Sequence, residues 1–125
     1  MRYLLALAIL LAACASPLAP PDGAEPFAPL PVYETWWADM TDCAEVPADF
    51  YRVEWLAAPD GFDPGTGQIH HGMWKSPHTI YIARQHLSVE WLVKHEMLHD
   101  ILQTGDHGPV FVACDIAAPY YLLAP

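Results

Sequence analysis

The chain has 125 residues, with 5 Lys and Arg against 15 Asp and Glu, and a formal net charge of −10. That balance argues against nucleic acid or anionic lipid head groups as partners and disfavours acidic substrates; its simplest consequence is solubility. The length suffices for one small domain with a single core, marginal without a covalent or metal staple.

Met1-Arg2 is a short positive start, and Tyr3 to Ala13 is an eleven-residue run without a charge or a strong polar group. The run is too short to span a bilayer and fits the apolar region of a secretory signal. It closes on Leu11-Ala12-Ala13-Cys14, which resembles the bacterial lipobox, where the signal is cut and the cysteine lipidated. The resemblance implies a signal peptide over 1–13 and a mature chain anchored by lipid at Cys14. An ordinary cleaved signal beside a free cysteine is the alternative. Ala15 after the cysteine, where Asp would retain the protein at the inner membrane, implies the periplasmic face of the outer membrane in a Gram-negative envelope. Without Arg2 the mature chain keeps four basic residues (Arg52, Lys75, Arg84, Lys94) against fifteen acids. Six prolines between Ser16 and Pro31 make residues 14–31 read as a semi-rigid, extended tether.

Residues 32–125 read as one domain. Cys43 and Cys114 are expected to pair in an oxidising compartment, closing a loop of about seventy residues worth ~4 kcal/mol in chain entropy. The competing reading makes Cys114 a metal ligand. Trp36, Trp37, Trp55, Trp74 and Trp91 are expected in the core. Phe50 to Leu56 alternates as a strand, and Pro59 to Gly67 is a turn-rich loop. His71 to Trp74 is expected as a short strand, Lys75-Ser76-Pro77 as a turn, and Thr79 to Ala83 as a further strand. Pro109 should open a short second helix through Cys114.

The densest signal lies between Ser88 and Gly105. Ser88 is a candidate N-cap, Glu90 suits the helix N-terminus, and Gly105 is a candidate terminator. The helix between them contains His95-Glu96-Met97-Leu98-His99, an intact HExxH. Histidines at i and i+4 share a helix face and can converge on one ion, with Glu96 near enough to reach a bound water without being a ligand. The apolar stripes on both sides, Leu92 and Leu102 opposite Val93, Met97 and Ile101, predict a buried helix. His107 can fold back from the following loop as third ligand, with Asp106 or Asp115 as alternatives. Three protein ligands plus a water is the donor set of a catalytic zinc, one Zn²⁺ per chain.

From His95 to Phe111 the HExxH, the glycine near the helix end and His107-Gly108-Pro109-Val110-Phe111 together resemble the SprT-like (Spartan-type) zincin core. Thr79 to Ala83 resembles the edge strand of zincin-like minimal metallopeptidases, beside which an extended peptide can lie. The similarity spans about thirty-five residues. It implies a small α+β zincin-like domain, with a short antiparallel sheet, an edge strand beside the central HExxH helix, and a second C-terminal helix. It also implies His95, His99 and His107 as zinc ligands and Glu96 as the catalytic carboxylate of a zinc metalloendopeptidase. No basic DNA-binding region or second zinc module accompanies the core, so a DNA-linked role does not carry over.

The expected activity is hydrolysis of peptide bonds in envelope proteins by a monomer acting on a peptide or protein substrate, with Glu96 as general base. Tyr120, Tyr121 or His78 are candidates for a second electrophile, and Asp100 for support of a ligand imidazole. His70, His71 and His86 read as loop or surface histidines. Two alternatives stay open: a non-catalytic, zinc-stabilised envelope lipoprotein that binds a partner, and a zinc hydrolase of a cell-wall amide.

Overall fold

The computed structural model describes residues 18–114. The expected signal, Cys14, Asp115, Tyr120 and Tyr121 lie outside the described residues.

Val32–Ala44 forms helix α1, an element beyond the sequence expectations. Tyr33, Trp36, Trp37 and Met40 recur at helical spacing, so one face buries all four. Glu45 ends the helix in the left-handed conformation, and the N–H groups of Glu45 and Val46 return to the carbonyls of Asp42 and Thr41. The tryptophans expected in the core are there for Trp36, Trp37 and Trp55.

Four strands follow the order β1-β2-β4-β3, with β1 at Glu25–Pro26, β2 at Glu54–Ala58, β3 at Gly72–Lys75 and β4 at Thr79–Ala83. β1 and β3 are antiparallel to their neighbours, whereas β2 and β4 run parallel. The fold is thus α+β, but its sheet is mixed, not antiparallel as expected. The cause lies in β4, where Ile80, Tyr81, Ile82 and Ala83 are all buried. A strand apolar on both faces gains most at the centre of a sheet, so β4 sits between β2 and β3. The edge beside the HExxH helix is therefore β3, and not Thr79 to Ala83. The strand expected from Phe50 begins later, because Asp49 caps a 3-10 turn at Phe50–Arg52 by accepting from the Tyr51 N–H.

The proline-rich stretch does more than space. β1 lies within it, the Phe27 N–H donates to the Trp55 carbonyl, and the Phe27 ring packs edge-on against Tyr33 and Trp55. Pro26 is tolerated because β1 is an edge strand. The folded unit therefore begins upstream of Val32.

Helix α2 spans Glu90–Leu102 and packs against α1 and the sheet. Leu92, Val93, Met97, Leu98 and Ile101 are buried around most of its circumference, as expected of a central helix. Its ends differ from expectation. Val89 occupies the N-cap in place of Ser88, and Gln103, at φ 53°, closes the helix two residues before Gly105. The early stop lets the N–H groups of Gln103 and Thr104 satisfy the carbonyls of Asp100 and His99, and it releases the loop that returns His107. Helix α3, Pro109–Ala113, follows with proline in its first turn. Among the described residues no helix is long and apolar enough to cross a membrane.

Cys43 and Cys114 form a disulfide across 71 residues, joining the end of α1 to the end of α3. Replacing both cysteines with serine should lower the unfolding free energy by about 4 kcal/mol, read as a fall in the urea midpoint. An unchanged midpoint would contradict the staple's role.

Candidate metal centre

Helix α2 sets His95 and His99 one turn apart, and the loop before α3 brings His107 onto them. The Nε2 atoms are 3.2 Å apart for His95 and His99, 3.1 Å for His95 and His107, and 3.1 Å for His99 and His107. Among the described residues this is the one trio of His, Cys, Asp or Glu side chains that converges on a common point. Asp106 is exposed and outside the trio, and Cys114 is committed to its disulfide.

The triangle fits a first-row metal ion. Three nitrogens each 2.0–2.1 Å from a tetrahedral ion stand about 3.3 Å apart, close to the observed edges. The donor chemistry agrees. His99 Nδ1 donates to the Thr104 carbonyl at 2.7 Å, which leaves the lone pair on Nε2, facing the other two rings. Burial, reinforced by the neighbouring imidazoles, pushes His95 down to about 3. Burial likewise pushes His99 down to about 4, so both rings are neutral, the ligating form, across the ordinary pH range. Phe111 backs the cluster, its ring centroid 5.0 Å from that of His95, 4.7 Å from His99 and 5.2 Å from His107.

Glu96 is 5% exposed beside this cluster and accepts the backbone N–H of Trp74 on β3. Burial pushes its carboxyl up to about 8. Gly72 makes the approach possible: a Cβ there would stand 2.9 Å from Glu96 Oε1 and 3.0 Å from Leu92 Cδ1. An isolated glycine within an expected strand is the kind of sequence signal that could have pointed to this contact, which lies beyond the sequence expectations.

A cleft of about 250 Å³ exposes the three histidines and Glu96, enough for a side chain or two of a peptide and too little for a folded ligand. Trp74 and Trp91, expected in the core, are only half buried and line this cleft. His70 and His71, expected to be remote, line it as well.

Asp100 is fully buried. It accepts from Arg52 Nε at 2.8 Å, Trp74 Nε1 at 3.0 Å and His78 Nδ1 at 3.2 Å. Its effect on the site runs through Trp74, whose ring lies nearly parallel to that of His99, at 15° and 6.2 Å between centroids. His78 is thereby held by Asp100 and is absent from the cleft lining. Arg52 and Trp74 carry no sequence motif; only the tertiary pairing reveals them.

Protein-family models, curated proteins and solved structures were all compared with the chain, and none matches it.

Glu96 generates a pH prediction for the metal-free protein. Its folded pKa lies above the ordinary 4.5, so the folded state holds the proton, and stability is lost as pH rises towards about 8. The depressed histidines act oppositely, losing stability as pH falls below about 6.5. Between pH 6.5 and 8, in chelator, the wild type should therefore lose up to ~1.4 kcal/mol per pH unit relative to Glu96→Gln, measured by urea unfolding. Parallel stability curves would refute the buried carboxyl. Separately, Gly72→Ala should cost about 1–3 kcal/mol by overpacking and lower the Glu96 pKa, followed by carboxyl NMR titration.

Proposed function

We propose that this protein is a zinc-dependent metallopeptidase of the cell envelope, cutting extended segments of peptide or protein substrates as a monomer, without nucleic acid. The observation that carries this reading is the triangle of imidazole Nε2 atoms with a buried carboxylate beside it that is not one of the three donors. A purely structural zinc is normally closed by four protein ligands, whereas three leave a position open to the cleft. Three imidazoles suit zinc and would also accept other first-row ions, so zinc is part of the proposal.

The resemblance to the SprT-like zincin core gains support from Phe111. The last position of the His107-Gly108-Pro109-Val110-Phe111 segment packs on all three imidazoles. The disulfide supports an oxidising compartment, and with it export. Lipidation of Cys14 belongs to the same proposal.

His95, His99 and His107 would hold the ion through Nε2. When bound, zinc supplies Lewis acidity that polarises the scissile carbonyl and makes a water nucleophilic. Glu96 handles the proton. A buried carboxylate beside the ion can take a proton from the attacking water at one oxygen and give it to the departing amine nitrogen. The Trp74 N–H holds that carboxyl in place.

Peptide positioning falls to β3. The Ala83 N–H donates to the His71 carbonyl, so antiparallel alternation turns the backbone groups of Gly72 and Trp74 away from β4. The Trp74 N–H is spent on Glu96, and the remaining outward groups are available to an extended segment added along the edge.

The protein purified from a periplasm without chelators should contain about one zinc per chain by elemental mass spectrometry, falling sharply in His107→Ala. Glu96→Gln should keep the zinc and lose roughly 10²–10⁴-fold in hydrolysis of a mixed peptide pool. Zinc-loaded wild type without hydrolysis would leave a zinc-stabilised binding module instead. A chain that takes up no zinc would end both readings.

A further inference from the structure

Leu18 lines the cleft that contains His95, Glu96, His99 and His107. It is held near there by the chain that follows. The Ala19 N–H donates to the Pro64 carbonyl at 3.1 Å, residues 19–22 share a groove with 59–63, and β1 pairs with β2 just beyond. The stretch expected to be a tether is therefore docked on the domain as far back as the cleft itself.

Cys14 precedes Leu18 by only four residues. A fully extended chain gains at most ~3.6 Å per residue, so those four reach no further than ~14 Å. A compact domain of this size has a radius of gyration of about 13 Å, so the available tether is shorter than the domain is wide. Charge does not set this distance, because an acidic protein has no electrostatic attraction to anionic lipid. Covalent attachment does. The cleft also presents two exposed aliphatic side chains, Leu18 and Ile69, which an interfacial lipid environment accommodates.

We infer that this short leash holds the cleft at the lipid surface, and that the substrates are extended polypeptide segments within about 14 Å of the membrane. Their class is the juxtamembrane stretches of membrane-embedded or lipid-anchored proteins, as opposed to domains free in the periplasm. This placement rests on the peptidase reading and on lipidation of Cys14. The narrow space between domain and bilayer excludes folded substrates, and the exposed edge of β3 suits a strand lying in it.

The test uses the full lipidated chain in phosphatidylethanolamine–phosphatidylglycerol vesicles, as wild type and with a stiff insert of about twenty prolines, ~60 Å long, between Ser16 and Pro17. Energy transfer from the protein's tryptophans to dansyl-labelled lipid reads the distance without any activity. It should be strong in the wild type and fall by more than half with the insert. Mixed-sequence quenched-fluorescence peptides are then offered free, on a short palmitoyl anchor, or on a palmitoyl anchor behind the same proline spacer. The wild type should cut the short-anchored peptides at least roughly tenfold faster than the spaced ones, and the insert should reverse that order while leaving free-peptide turnover unchanged. Equal transfer in the two proteins, equal cutting of the two anchored forms, or release of the wild type from vesicles would each overturn the inference. If transfer falls as expected but neither protein cuts any peptide, the membrane placement stands and the peptidase reading fails.

Discussion

Four consecutive-turn ionisable groups on one buried helix, His95, Glu96, His99 and Asp100, set the terms for the rest of the molecule. Burying such groups in so small a core is costly unless each finds a partner or gives up its charge. Each does one or the other. The histidines are kept neutral by burial, and His99 is oriented by the Thr104 carbonyl. Glu96 is held by the Trp74 N–H, and Asp100 is saturated by Arg52, Trp74 and His78. The first three line the cleft, and Asp100 ties the helix to Arg52, Trp74 and His78.

Trp74 joins these two faces. Its backbone N–H meets Glu96, its indole N–H meets Asp100, and its ring lies against His99. One edge-strand residue thus couples Glu96, the His99 imidazole and the ion pair of Arg52 and Asp100. The disulfide supplies the corresponding constraint on the other side. By tying α3 to α1 it holds Phe111 under the imidazoles, and it limits how far the His107 loop can open. A small domain has little core to spare for this purpose, so a covalent tie replaces packing.

Much of the site was legible because its signals are local. The i and i+4 histidines, the intervening Glu96 and the third histidine just past the helix all lie within thirteen residues of chain. The cysteine pairing followed from there being two such residues once Cys14 was set apart. What could not be read were contacts between distant segments. Asp100 looked like a surface residue or a ligand's support because nothing near it in sequence announces Arg52, 48 positions earlier. His70, His71, Trp74 and Trp91 could not be placed in the cleft until the loop and strand carrying them were set against α2. The α1 spacing of Tyr33, Trp36, Trp37 and Met40 was visible but lay behind a run of prolines that reads as a tether.

The sequence by itself determined that His95 and His99 share a helix face with Glu96 beside them, because helical periodicity carries all three in little more than one turn, while the choice of His107 as the third member waited on the fold. Tertiary structure alone decided which strand is the open edge, which side chains wall the cleft, and how close the N-terminal segment comes to it. Those outcomes depend on competition between segments far apart in the chain. The most apolar strand took the centre of the sheet, and the residues left over became the edge and the rim.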